Sequence, residues 1–115
     1  MRIVIEHKNI IIATDVRMAN TFWSRFKGWM GKKYVGDHEA LIIQPCASVH
    51  TFGMKFAIDV LFLNSNNQVI HQMSDLKPNR ISALIPHTCT IIELKEGTLC
   101  RLNVELLDVV SFENR

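Results

Sequence analysis

Apolar residues in this chain fall mainly into short runs separated by polar turns, a pattern typical of β-strands. The β-branched runs Arg2 to His7 and Ile10 to Thr14 flank Lys8 and Asn9, and they predict an opening hairpin. Ile58 to Leu63 is the clearest strand, and turn-forming residues follow it at Asn64 to Asn67. Further strands are predicted over Ala40 to Gln44, Gln68 to Met73 and Thr90 to Leu94, with β or mixed structure over Cys100 to Phe112.

A different, helical periodicity runs from Asn20 to Met30. The apolar residues that would share one face of an amphipathic helix there are Phe22, Phe26, Trp29 and Met30. Asn20 or Thr21 is the expected N-cap and Gly31 the expected stop. At this spacing the aromatic side chains are expected to form part of the core, with only Trp23 toward the edge of the face.

The segment from Leu76 to His87 has neither periodicity and contains Pro78 and Pro86. A loop of that length is uncommon in a compact domain unless it covers or lines a site. The whole pattern predicts one α+β domain over residues 1–115. We expect a strongly curved, mostly antiparallel, barrel-like sheet with one main helix.

Composition narrows the classes of function. The net charge is +2 and basic residues are scattered, so no nucleic-acid partner is expected. No apolar run is long enough to cross a membrane, so membrane insertion is not expected either. The three cysteines lack CxxC spacing, and the first residues turn polar too early for an export signal. We therefore expect a cytoplasmic protein without a disulfide framework.

Metal and cofactor motifs are also lacking. The pairs Cys46–His50 and His87–Cys89 match no known zinc spacing, so no metal site is predicted. No P-loop, GxGxxG or GxSxG motif occurs, and no cofactor is expected.

Two carboxylates stand inside apolar runs. Asp59 directly precedes Val60 to Leu63, and Glu93 is flanked by isoleucines and Leu94. A buried carboxylate needs a partner, and the expected partners are Arg25, Arg80, a histidine or backbone N–H groups. Each carboxylate is therefore either a structural anchor or a polar group in a pocket, and the sequence leaves both open.

Several landmarks occur in a characteristic order. They are Arg25 to Gly31, His50-Thr51-Phe52-Gly53-Met54, Ile58 to Leu63, and Ile92-Glu93-Leu94 followed by Gly97. With these landmarks the chain resembles domain-of-unknown-function family number 192. The resemblance spans roughly Ala19 to Phe112 and implies a compact α+β domain with a strongly curved sheet, but no established reaction. Leu107-Asp108 stands where many members have Gly-Asp, which argues against a tight turn there.

Three functions are compatible with these residues. The first is a module that binds a small ligand or a peptide in a polar pocket, under the Leu76 to His87 loop. The second is a hydrolase-like enzyme in which His50 acts with Asp59 or Glu93, and the third is an accessory interaction protein. Whether the protein is an enzyme, and its oligomeric state, stay open. The residues expected to form the polar cluster, whether for ligand binding or for structure, are His50, Met54, Asp59, Glu93, Arg25 and Arg80.

Overall fold

The computed structural model describes residues 1–114, which form one α+β unit of eight strands and two short α-helices. A short 3-10 turn, Glu6–Lys8, joins the first two strands. The helices are α1 (Phe22–Lys27) and α2 (Thr98–Leu102). The strands are β1 (Arg2–Ile5), β2 (Ile10–Ala13), β3 (Asp15–Ala19), β4 (Glu39–Ile43), β5 (Ile58–Leu63), β6 (Val69–Leu76), β7 (Thr90–Lys95) and β8 (Val110–Glu113).

The strands of the described chain form two sheets rather than the single barrel-like sheet predicted from the sequence. One sheet has the order β2-β1-β8, and the other has the order β3-β4-β7-β5-β6. Pairing is antiparallel except between β3 and β4, which are parallel. The expectation of a strongly curved barrel was wrong, because strand periodicity specifies which residues are buried but not whether the sheet edges meet.

The predicted strands are confirmed with small shifts of their ends. The opening hairpin is present, and Asn9 has the positive φ (51°) that its turn requires. The C-terminal segment is mixed as predicted, since it contains α2 and β8. A tight turn does form near the C-terminus, with Leu107 at a φ of 72°, so the inference from the missing glycine was wrong.

The five-stranded sheet is covered on both faces. Side chains alternate along each strand, so neighbouring residues pack into two separate cores. One face, with Leu61, Leu63 and Ile92, packs against the three-stranded sheet and α2. The opposite face, with Val60, Phe62 and Ile91, packs against the residues that follow α1 and against the loops between strands. The second face carries the candidate site.

Helix α1 is shorter than predicted, and its aromatic residues are not core. The N-cap is Thr21, which was one of the two predicted candidates, and it forms a capping box with Ser24. The helix ends at Gly28, at a φ of 50°, rather than at Gly31. This early turn directs Trp29 into the core and leaves the preceding aromatic residues outside it. The description of α1 as one main helix also fails, since α2 has nearly the same length.

Within residues 1–114, no helix combines the length and the apolar character that crossing a bilayer requires.

Candidate functional site

The two buried carboxylates lie on opposite faces of the five-stranded sheet. Asp59 pairs with Leu94, and Glu93 pairs with Val60, in the antiparallel ladder between β5 and β7. Because neighbouring residues on a strand point to opposite faces, Asp59 faces the core shared with the three-stranded sheet, and Glu93 faces the other core. The two groups therefore do not share a site.

Asp59 has a structural role. Its Oδ1 accepts from the backbone N–H of Asp75 (3.0 Å), and its Oδ2 accepts from the N–H of Leu99 (3.0 Å). Leu99 lies in the first turn of α2, where Gly97 has no side chain to cap the helix. Asp59 thus joins α2 and β6 to β5, and it uses the backbone partners that were one of the expected alternatives.

Glu93 has a different environment. Burial raises the pKa of its carboxyl to about 8, so the group is mostly protonated at neutral pH. Among residues 1–114, no donor or acceptor bonds to the buried Oε1 atom. Buried polar atoms without partners are rare in native proteins and carry a free-energy cost. Gln72 Oε1 and Thr88 Oγ1 also have no partner, but Glu93 is the ionisable group of the three, which makes its carboxyl the strongest indication of a functional site among the described residues.

A small cavity lies against the Glu93 carboxyl. Its volume is about 30 Å³, which is enough space for one or two water-sized groups. Residues from α1, the end of β4 and the segment after it complete the wall: Arg25, Phe26, Gly28, Ile43, Cys46, Ser48, Val49 and His50. The cavity therefore combines one protonated carboxyl with mostly apolar or backbone surroundings.

Gly28 keeps the space above the carboxyl open. A Cβ atom at this position would lie 3.5 Å from Glu93 Oε1 and 3.8 Å from the methyl carbon of Met54. The positive φ of Gly28 is also one that side chains with a Cβ rarely adopt. The residue that ends α1 thus also removes a side chain from the wall of the cavity.

His50 is held in one orientation by the main chain. Its Nε2 lies 2.6 Å from the carbonyl oxygen of Phe26, and its Nδ1 accepts from the N–H of Phe52 (3.2 Å). These contacts assign the proton to Nε2, which donates to Phe26. Both ring nitrogens are therefore engaged, and His50 serves to join α1 to the segment before β5.

Exposed aromatic rings surround His50. The ring of Phe26 lies 5.1 Å from that of His50, Phe52 lies 5.3 Å from it, and Trp23 stacks on Phe26 at 5.8 Å. The exposed fractions are 80% for Phe22, 64% for Trp23, 49% for Phe26 and 46% for Phe52. We call Phe22, Trp23, Phe26, His50 and Phe52 the aromatic surface. Clustered exposed apolar rings of this kind are typical of binding sites.

The long loop after β6 supports this region without lining the cavity. Thr51 is fully buried, and its hydroxyl donates to the carbonyl of Lys77 (2.7 Å) and accepts from the N–H of Arg80 (2.9 Å). The Val49 N–H donates to the Ser82 hydroxyl (2.9 Å), and His50 forms a β-bridge with Ile81. The loop therefore fixes the segment that carries His50 and Phe52.

The structure brings together some of the residues predicted from the sequence. Arg25, His50 and Glu93 line the cavity, and Met54 lies beside Gly28. Asp59 lies on the other face, and the guanidinium of Arg80 donates to the carbonyl of Pro78 (3.4 Å). Sequence reasoning missed Gly28 and the exposure of Phe26 and Phe52, because their roles depend on where α1 ends. The glycine inside a helical pattern was the available signal.

Among the described residues, no three His, Cys, Asp or Glu side chains cluster closely enough to hold a metal ion. Cys46, Cys89 and Cys100 are free.

Comparisons with known proteins agree on one family. The model of DUF192, described as Uncharacterized ACR, matches residues 3–112. A UPF0127 protein of Pyrococcus horikoshii is 40% identical, over 96% of this chain and 97% of that protein. A UPF0127 protein of Pyrococcus furiosus is 38% identical, over 84% of this chain and 85% of that protein.

A solved structure shows the same fold. It is a protein of unknown function from Novosphingobium aromaticivorans, with a TM-score of 0.87 and 19% identity, and the match covers 96% of this chain and 84% of that one. The resemblance drawn from the ordered sequence landmarks is confirmed. The chain belongs to the DUF192 family of uncharacterised proteins.

Proposed function

We propose that this protein is a binding module for a small molecule. The ligand places one hydrogen-bonding group in the Glu93 cavity and rests its apolar part on the aromatic surface. The observation that carries the proposal is the buried Glu93 carboxyl, whose Oε1 atom has no hydrogen-bond partner among the described residues. Keeping such a group costs stability, and buried groups whose pKa is strongly shifted by desolvation concentrate at functional sites.

The chemistry of the cavity limits the ligand. Because the pKa of Glu93 is about 8, the carboxyl donates a hydrogen bond at neutral pH. A cavity of about 30 Å³ accepts a carbonyl or hydroxyl group but not a ring. The ligand therefore has a protruding oxygen acceptor and an apolar or ring-shaped face that packs on Phe26.

The test is a binding screen on isotope-labelled protein with neutral sugars, polyols and small amides. We expect at least one class of compound to shift the NMR signals of Gly28 and Glu93 and to raise the melting temperature. A library that moves neither signal contradicts the proposal.

Three variants locate the site. Phe26→Ala removes a ring that lines the cavity and should weaken binding about three- to tenfold. Tyr34→Ala is the matched control, because Tyr34 is an exposed aromatic residue that lies outside both the aromatic surface and the cavity. Glu93→Leu should abolish binding while the fold is kept, since a neutral apolar side chain replaces an unpartnered acid.

A second candidate function rests on the same pKa. A carboxyl that titrates near pH 8 is matched to general acid or base catalysis at neutral pH. His50 gives no support as its catalytic partner, because both ring nitrogens bond to the main chain. If a turnover reaction is found, Glu93→Gln should lower its rate about a hundredfold or more, and a rate that survives the substitution excludes Glu93 as the acid.

A further inference from the structure

A broad groove opens next to the Glu93 cavity on the same face of the sheet. Its volume is about 590 Å³, and its walls include Arg17, Lys27, Gly28, Trp29, Lys32 and Leu41. Gly28 belongs to the walls of both the groove and the cavity. The two spaces therefore meet at the residue where α1 ends.

Strand register places the cation Arg17 two strands away from Glu93 on the same face of the sheet. Arg17 on β3 pairs with Leu41 on β4, and Leu41 pairs with Glu93 on β7. Paired residues point to the same face, so the three side chains form one row across the sheet. Because adjacent strands lie about 4.8 Å apart, the backbones of Arg17 and Glu93 are separated by roughly 10 Å.

The groove carries positive charge that the protein neutralises only in part, through the Glu39 carboxylate, which also attracts Arg17 without forming an ion pair with it. Lys32 pairs with Glu39 at 3.1 Å, and this carboxylate also accepts from the Gly36 N–H. Within residues 1–114, neither Arg17 nor Lys27 takes part in an ion pair. The sequence from Val16 to Gly36 also contains no acidic residue.

An anion in this groove would meet two cations over a partly apolar floor. Trp29 and Leu41, both buried in the core of this face, supply the apolar part of its lining. Arginine suits this role because its guanidinium donates two parallel hydrogen bonds to a phosphate or a carboxylate.

We propose that the groove is an anion subsite, so that the ligand is a small molecule with a phosphate or carboxylate group. This inference rests on the proposed function, since it assumes that the acceptor end of the same ligand occupies the Glu93 cavity. The acceptor and the anion are then separated by a distance on the order of 10 Å or less, set by the strand spacing.

The first experiment uses inorganic phosphate alone, followed by the signals of Lys27, Gly28 and Lys32 in NMR spectra. We expect saturable shifts that weaken as salt is added. The absence of saturable shifts at these residues overturns the anion subsite, whatever the Glu93 cavity binds.

The second experiment compares glucose with glucose 6-phosphate and glucuronate, which separates phosphate from carboxylate as the source of the anion. We expect at least one of the two anions to bind about tenfold more tightly than glucose. The double variant R17Q/K27Q should lose this advantage, whereas K33Q/R80Q should keep it. The control removes one arginine and one lysine that are exposed and lie outside the groove.

The outcomes separate the two proposals. In one outcome, the signals of Glu93 respond equally to glucose and to the two anions, and they do so in both double variants. This outcome supports the binding module and overturns the anion subsite. Phosphate that shifts the groove residues, with Glu93 unchanged for every probe, supports the subsite as an anion site and contradicts the proposed use of the cavity.

Discussion

Asp59 and Glu93 are both carboxylates in the middle of apolar strands, but they have opposite roles. Asp59 accepts two backbone N–H groups and joins three elements of one core. Glu93 faces the other core, where Oε1 has no partner among the described residues and burial raises the pKa to about 8. The same local pattern in the sequence therefore produces an anchor in one case and a candidate binding group in the other.

The difference arises from the supply of free backbone donors. A register irregularity between β5 and β6 and the positive φ of Asp75 leave an N–H for Asp59, and the uncapped start of α2 leaves another. Glu93 lies in β7 between β4 and β5, whose facing N–H groups are used by the ladder. A carboxyl in that position keeps its proton because nothing nearby stabilises its charge.

The largest expected effect is on stability: substitutions of Asp59 and of Glu93 should change the free energy of unfolding in opposite directions. Asp59→Ala leaves the buried N–H of Leu99 and the partly buried N–H of Asp75 without this partner, and we expect a loss of roughly 2–5 kcal/mol in the free energy of unfolding. Glu93→Leu at pH 7 removes an unpartnered polar group and should raise that free energy by about 1–3 kcal/mol. Urea unfolding followed by circular dichroism measures both.

Asp59→Asn is the graded variant, since it retains one acceptor oxygen and should fall between Asp59→Ala and the wild-type chain. Glu96→Ala, at an exposed position, controls for the loss of a charge. If Glu93→Leu destabilises the fold as much as Asp59→Ala, the contrast between the two carboxylates is wrong.

The second prediction concerns pH. The folded pKa of Glu93, about 8, lies above its ordinary value of 4.5, so the folded state holds a proton that the unfolded state releases. The protonated carboxyl thus favours the folded state fully below pH 4.5, and this advantage is lost as pH rises toward 8. The slope should be about 1.4 kcal/mol per pH unit between these values.

Glu93→Gln should remove this slope, whereas Glu96→Gln at an exposed position should keep it. Urea unfolding at several pH values from 5 to 8 makes the comparison. Parallel pH profiles for the wild-type chain and Glu93→Gln would show that Glu93 titrates normally in the folded protein.

The smallest effect tests whether His50 belongs with Asp59 as an anchor or with Glu93 as part of the cavity chemistry. His50→Ala removes two bonds to the main chain at a half-buried position and should cost about 1 kcal/mol. It should lower the pKa of Glu93 only slightly, because His50 does not bond to that carboxyl and its loss only opens the cavity wall to water. Carbon NMR of the labelled Glu93 carboxyl measures the pKa, and a large shift would assign His50 to the same titrating unit.

Most of the strands could be predicted because their burial follows a local rule. Ile58 to Leu63 is apolar apart from Asp59, and it became β5, which is buried on both faces. The prediction that the aromatic face of α1 is part of the core was wrong, since Phe22 and Phe26 have core spacing but are exposed. Burial of a helical face requires an opposing surface, and the turn at Gly28 places Trp29 there instead.

The sequence by itself determined most of the strands but not β3, two candidates for the N-cap of α1, and the presence of two carboxylates that need an explanation. These features depend on side-chain type and on neighbours along the chain. Only the tertiary structure decided which carboxylate is bonded, that Gly28 opens the space over Glu93, and that Arg17, Leu41 and Glu93 share one row. Those facts depend on strand register and on free backbone donors, which segments distant in the sequence supply.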